Sequence, residues 1–202
     1  MSAALFVLSS VTLEGRRVRL EPLDLERHWE GLVAIGLEPD LWKWTLNRVE
    51  SADHLREYLE TAIRERDEGR SLPFATVDIA SGRIAGSTRF STFDRGNRRA
   101  EIGWTWIGGG FRRSHVNTEA KYLMLGHGFE TWRLKRIELK THEKNERSRN
   151  AMLRIGCTFE GILRNYQTGD TGTRNSAIFS IVDTEWPAVK ARLERMIETR
   201  SC

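Results

Sequence analysis

Two arginines, a histidine and an asparagine crowd the stretch RRSHVNTEAKYLML, residues 112–125, where a basic loop runs straight into a helical pattern. The strand-like EIGWTWI at 101–107 and three glycines at 108–110 lead into it. Strand, loop and helix N-terminus together form the generic anion-binding unit. The first-turn N–H groups have no partner inside the helix, and the macrodipole places partial positive charge there. Several parallel N–H groups beside Arg112 and Arg113 suit a pyrophosphate better than a single carboxylate. Bare backbone must come close to such an anion, which favours glycine, yet His115 stands where glycine is expected. An L-residue there must avoid a positive φ or bear its strain, and histidine tolerates that geometry better than most. No G-x-G-x-x-G and no G-K-[ST] is present, so this is neither a dinucleotide fingerprint nor a P-loop. An ordinary strand-to-helix connection remains the plain alternative.

The second chemical stretch is NERSRNAM, 145–152. Asn145 precedes a short helical run and suits an N-cap, with Ser148 and Asn150 in the first turns. The two cysteines, Cys157 and Cys202, are far apart and form neither a metal spacing nor a disulfide framework. Cys157 reads as core packing at the start of a strand. No metal is implied, and a reducing, cytoplasmic compartment is expected.

These groups need elements to hold them. Val18, Leu20 and Leu23 alternate with charged residues as a strand ending near Pro22, and Asp24 can cap a helix through about Gly36. Ser51 or Asp53 caps a second helix, striped by Leu55, Leu59, Ala62 and Ile63 and ended by Gly69. A block of three antiparallel strands follows, with turns at 81–83 and 94–99. The spacing of Ala120, Leu123, Met124 and His127 predicts a helix from Thr118 to about Trp132. Then come a strand at 136–142, the short helix closed by Gly156, two strands joined by TGDTG, and a C-terminal helix. This order describes an α/β (α+β) domain with a central mixed, mostly antiparallel sheet of about seven strands flanked by helices. Residues 1–14 read as a flexible lead-in rather than a signal peptide, and 15–202 as the domain.

The chain of 202 residues is 39% hydrophobic and 30% charged, enough to bury a core, and it has no run long enough to span a membrane. The net charge of +4 fits an anionic partner or an arginine-rich surface. An RNA- or ribosome-associating module would suit that balance, but no RNP sequence, KH loop or zinc knuckle appears.

The loop resembles the acetyl-CoA-binding motif of the GNAT superfamily of N-acetyltransferases, [QR]-x-x-G-x-[GA]. The wider stretch resembles the subgroup of ribosomal-protein-alanine N-acetyltransferases, whose run often reads R-G-T-G-x-N-T-E-A-K. Arg112 matches the leading basic residue, and Asn117, Thr118, Glu119, Ala120 and Lys121 match the continuation. AEIGW at 100–104, RIELKTHEKNERSRNAMLRIGCTFEGILR at 136–164 and SIVDTEWPAVKARL at 180–193 extend the likeness over nearly the whole chain from Gly15. His115 in place of the first glycine is the departure.

The resemblance implies a GNAT-like sheet splayed between strands four and five. The bulged fourth strand would hold the pantetheine arm, with Trp106 and Ile107 as main-chain contacts. It implies acetyl-CoA as cosubstrate, held further by Arg112, Arg113, Ser114, His115, Val116, Asn117, Thr118, Asn145 and Asn150. Ser148 is implied to lie near the thioester sulfur as proton donor, with Tyr166 as a substitute or else a buried aromatic. Glu101 matches the place of a general base, and an apolar cleft would raise its pKa; a solvent-facing strand residue or the partner of a nearby arginine is the plainer role. His127 reads as core and Asp170 as a turn former. Trp42 and Trp44 can wall an acceptor site or staple a short helix. The implied acceptor is a primary amine, either a protein N-terminus, with a ribosomal protein as partner, or a polyamine or antibiotic. A CoA-binding sensor without turnover is the non-catalytic alternative. The run SAIFSIV, 176–182, can pair with another copy as a homodimer or lie buried.

Overall fold

The computed structural model describes residues 8–199. Thirteen regular elements alternate along the chain: β1 (Leu13–Glu14), β2 (Val18–Pro22), α1 (Leu25–Gly36), α2 (Ala52–Asp67), β3 (Ser71–Asp78), β4 (Ile84–Asp94), β5 (Arg99–Ile107), α3 (Val116–Gly126), β6 (Arg136–His142), α4 (Glu146–Ile155), β7 (Thr158–Gly169), β8 (Gly172–Val182) and α5 (Trp186–Glu198). The sheet order is β1-β2-β3-β4-β5-β6-β8-β7. Every neighbouring pair is antiparallel except β5 and β6. The sheet therefore has eight strands, one more than expected, because Leu13–Glu14 pairs with β2. Of the expected lead-in, residues 1–7 lie outside the described residues, and Leu8, Val11 and Leu13 pack against the core.

Local signals act where the sequence placed them. Asp24, Ser51 and Asn145 cap α1, α2 and α4, each side chain accepting from the N–H three residues on. Gly156 closes α4 in the left-handed conformation, φ 102°. The helix expected from Thr118 begins at Val116, runs regularly to Gly126, and ends in a π turn over His127–Thr131.

Helices cover both faces of the sheet. Val18, Phe74, Phe90, Ile102, Met124 and Leu193 belong to the larger core, shared with α3, α4 and α5. Leu32, Leu55, Leu59, Ala75 and Trp106 form the smaller one under α1 and α2. Trp42 joins that second core and donates its indole N–H to the Gly36 carbonyl at 2.7 Å. No helix forms there: residues 41–47 are turns, so the two tryptophans staple no helix.

SAIFSIV lies in β8, between β6 and β7, and is not an edge. The edge on this side of the sheet is β7, with Phe159, Ile162, Leu163 and Tyr166 exposed.

The decisive feature is where β5 and β6 part. They pair only at Arg99↔Arg136, Ala100↔Ile137 and Glu101↔Glu138, and β5 then continues to Ile107. Opposite β4, Trp104 and Thr105 stand against the single Thr88, a β-bulge with Trp104 at φ 49°. Gly86 makes the approach of β4 possible, since a Cβ there would lie 2.0 Å from the Trp106 carbonyl oxygen.

Candidate active site

The splay opens a cavity of about 850 Å³ running from the N-terminus of α3 to the β7–β8 hairpin. At the α3 end, Ile107, Gly109, Arg112, Arg113, Ser114 and Asn117 line it. The Ser114 hydroxyl donates to the Phe111 carbonyl at 2.6 Å and accepts from the Val116 N–H at 3.2 Å, fixing the entry into the helix. Arg112 donates to the Ile107 carbonyl at 3.1 Å and to Glu38 at 3.1 Å. The Gly109 N–H donates to the same Glu38 carboxylate at 2.7 Å. Backbone and guanidinium thus converge on one anionic group, so the donor set of this loop fits anionic oxygen.

His115 takes the first of its two options and avoids a positive φ. Its φ of −68° and ψ of −24° are helical, and its ring meets Asp78 Oδ1 at 2.9 Å, beside the loop rather than in it. The left-handed residue is Arg113, φ 62°. The chain makes its tight turn two residues earlier than the glycine pattern suggests, so His115 bears no strain. Val116 and Thr118 are fully buried, and the Thr118 hydroxyl accepts from Arg154 at 3.1 Å. His115, Val116 and Thr118 do not line the cavity, whereas Trp106, Ile107, Asn145, Ser148 and Asn150 do.

Lys121 lies on the inner face of α3, directly under the bulge. Its ammonium donates to Thr105 at 2.7 Å and Thr88 at 3.2 Å, and burial lowers its pKa to about 7. Burial pushes the nearby Cys157 thiol up to about 12, so it is an inert core group and no nucleophile. Glu119 is buried too, accepting from the Arg16 and Arg17 N–H groups at 2.5 and 3.0 Å. Of the run NTEAK, only Asn117 lines the cavity; the rest holds α3 in place.

At the opposite end, Glu101 is 3% exposed, and its Oε2 accepts from Lys140 at 2.6 Å and Thr92 at 3.1 Å. The surroundings are not the apolar cleft expected from the sequence, and the partner is a lysine rather than an arginine. Among the described residues, Glu101 is the sole carboxylate that lines the cavity. Lys140 also sits 5.7 Å from the Trp104 ring centre and 5.4 Å from that of Tyr166. Tyr166 is 44% exposed, which corrects the buried role weighed for it. Arg174 is half-buried beside Gln167 and beneath the Trp44 carbonyl. The hairpin closes this end against the α1–α2 connection: Thr171 donates to the Thr45 carbonyl at 3.0 Å, and Asp170 accepts from the Arg48 N–H at 3.3 Å. The Trp44 ring lies 4.9 Å from that of His142 at a tilt of 54°, and the His142 pKa falls through burial and then the charge of Arg174.

A family model described as "Acetyltransferase (GNAT) domain" matches residues 17–158. The chain belongs to the GNAT acetyltransferases. It is an acyltransferase enzyme by that membership, and the splayed β5–β6 pair is the splay expected between strands four and five once the extra β1 is counted. A Bacillus subtilis protein named "Putative ribosomal N-acetyltransferase YdaF" is 28% identical over 171 residues, 85% of this chain and 92% of that one. The crystal structure of a GCN5-related N-acetyltransferase from Brucella melitensis superposes with TM-score 0.86 and 31% identity, covering 94% of this chain and 86% of that one. Mycobacterium smegmatis RimJ, solved in complex with CoA-disulfide, shares the fold at TM-score 0.72 and 22% identity, over 91% of this chain and 90% of its own.

Within this GNAT domain the cavity unites Glu101, Ser148, Asn145, Asn150, Trp106 and the loop arginines, groups from three separate stretches of chain. The Asn145 side chain accepts from the Ser148 N–H at 3.2 Å, so its capping role is realised while it lines the cavity. Lys140, Gln167, Arg174 and Trp104 complete the wall, and sequence reasoning did not select them. The one available signal was Lys140 in the strand RIELKTH, on the same side as Glu138 and opposite Leu139. Among the described residues no helix is long and apolar enough to cross a membrane, and no group of three His, Cys, Asp or Glu side chains could hold a metal ion.

Proposed function

We propose that this protein transfers the acetyl group of acetyl-CoA to the α-amine at a protein N-terminus by direct attack, with no acyl-enzyme. The α3 end takes the donor: the loop N–H groups, Arg112 and Arg113 face its pyrophosphate, and the unpaired stretch of β5 runs beside its pantetheine arm as an added strand would. Asn145 and Asn150 flank that path, and the Ser148 hydroxyl is the group available to hand a proton to the departing thiolate.

The observation that carries the acceptor assignment is the charge at the far end. Lys140 and Arg174 stand there, and the single carboxylate, Glu101, is already paired with Lys140. Two cations disfavour a bound ammonium and promote loss of its proton. The Glu101 carboxylate is already engaged by Lys140 and Thr92, so an amine that is easily neutralised suits this end best. An N-terminal α-amine, with an ordinary pKa of about 7.7–8.0, meets that need far better than a lysine or polyamine amine near about 10.4. In this scheme the amine nitrogen attacks the thioester carbonyl carbon, the carbon–sulfur bond breaks, and the amine proton leaves through Glu101 and solvent. The ribosomal name carried by the Bacillus relative makes a ribosomal protein the first acceptor to try.

The test is thiol release from acetyl-CoA, with mass-spectrometric site mapping, on three acceptors: a peptide with a free N-terminus, the same peptide N-blocked but containing lysine, and spermine. Acetylation of the free N-terminus alone is expected, with kcat/KM rising through the α-amine pKa. Preference for lysine or spermine would overturn the assignment. Tight CoA binding without turnover on any amine would make the protein a sensor.

A further inference from the structure

Arg174 is a half-buried cation at the acceptor end whose hydrogen bonds all go to neutral oxygens. Its Nε donates to Ser176 Oγ at 3.2 Å, and its two terminal nitrogens donate to the Trp44 carbonyl at 3.3 Å and to Gln167 Oε1 at 2.5 Å. A guanidinium has five N–H donors in a fixed fork, so part of the fork is left for another acceptor. Among the described residues no Asp or Glu forms an ion pair with it. The comparable buried Arg89 is paired, 3.0 Å from Glu65. The nearest help comes from Glu101, whose charge is felt by Arg174 but whose hydrogen bonds go to Lys140 and Thr92. Burial consequently depresses the guanidinium pKa, and only that distant carboxylate opposes the shift. A cation taken partly out of water without a counter-ion is costly unless a ligand supplies one. Arg174 lines the cavity together with Gln167, Trp44 and Leu46, where the β7–β8 hairpin meets the α1–α2 connection.

We infer that Arg174 pairs with a carboxylate of the acceptor, and that the preferred acceptor is a peptide N-terminus with Asp or Glu among its first few residues. This rests on the N-terminal assignment above and adds a specificity to it. The same charge works against rivals: the extra ammonium groups of a polyamine or aminoglycoside would face Lys140 and Arg174 with one spent carboxylate between them. A free α-amino acid also offers a carboxylate beside an amine, so it is the other source of the same chemistry.

The experiment compares steady-state kcat/KM, with acetyl-CoA saturating, for three peptides identical except for Glu, Gln or Lys after the first residue, together with free serine and free glutamate. The wild type should prefer Glu over Gln by about tenfold, equivalent to about 1.4 kcal/mol, and accept Lys least. Arg174→Gln should bring Glu and Gln to within about twofold, through KM for the peptide, while the KM for acetyl-CoA stays put. Arg174→Lys should keep part of the preference, which separates charge recognition from general damage to the hairpin. Equal rates on Glu and Gln peptides in the wild type, or a preference that survives Arg174→Gln, would overturn the inference while leaving N-terminal acetylation intact. Free amino acids outrunning every peptide would overturn the peptide source. Failure on all α-amines alongside activity on spermine would instead remove the N-terminal reading.

Discussion

At the donor end the cavity wall is nearly one stretch of chain, from Trp106 to Asn117, joined by the first turns of α4. At the acceptor end Glu101, Lys140, Gln167, Arg174 and the Trp42–Leu46 segment come from β5, β6, β7, β8 and the α1–α2 connection. On the proposed reading the donor end would work largely through backbone N–H groups and the loop arginines, which keep their geometry when one side chain changes. The acceptor end works through opposite charges buried against each other, and a buried charge that loses its partner has no water to replace it. One end should therefore tolerate substitution in stability and respond in KM, while the other should respond in stability first.

The largest expected effect falls on the acceptor end. Lys140→Met leaves the Glu101 carboxylate, with 4% of its side chain exposed, without its cation. The loss should be about 3–5 kcal/mol in urea unfolding, and adding Glu101→Gln to the same chain should recover most of it. A loss below about 1 kcal/mol would mean the pair is screened like a surface ion pair, and the contrast between the two ends would fail.

Lys121 ties the ends together, because α3 presents its first turn to the donor end and this ammonium to the underside of the bulge. Its folded pKa of about 7 lies below the ordinary 10.5, so the unfolded chain binds more protons between those values. Stability should consequently rise with pH across that window, by about 1.4 kcal/mol per unit at most. Cys157 acts in the opposite sense, since its thiol is raised from 9.0 to about 12 and stability is lost as pH climbs through that range. The rise is thus cleanest between about pH 7 and 9, and Lys121→Met should flatten it in pH-dependent unfolding. An unchanged slope would show that this lysine reaches water.

Smaller effects belong to the donor end. Arg112 and Glu38 are each about three-tenths exposed, so their ion pair contributes under about 1 kcal/mol. Arg112→Ala should raise the KM for acetyl-CoA by about tenfold, a loss near 1.4 kcal/mol, with little change in melting temperature. Melting that falls as far as in Lys140→Met would erase the distinction. Smallest of all, His115→Gly should leave acetyl-CoA affinity within about twofold in calorimetric titration, at a stability cost of about 1 kcal/mol for the lost Asp78 contact. A large gain in affinity would put the His115 ring back inside the cradle.

The legibility of the two ends differed for the same reason as their expected tolerance. The entry into α3 at Ser114 and the caps at Asp24, Ser51 and Asn145 act within a few residues of themselves, and local patterns report such preferences directly. The sequence left His115 to avoid a positive φ or bear its strain, because it does not say which residue of a tight turn adopts positive φ; here Arg113 does. Thr118, Glu119 and Lys121 matched a motif and proved to be mostly buried supports, since a motif shows that residues matter without showing which way they face.

From the sequence alone came the element order, the helix caps, the basic loop before α3 and the mixed, mostly antiparallel sheet. All follow from dihedral preference, side-chain periodicity and capping, which operate over one or two turns of chain. Only the tertiary structure decided that β5 and β6 part after Glu101↔Glu138, that Lys140 spans 39 residues to reach Glu101, and that Arg174 comes to rest without a carboxylate. Those outcomes depend on strand order, register and one bulge at Trp104, and no residue's own propensity encodes the neighbour that a distant strand will bring to it.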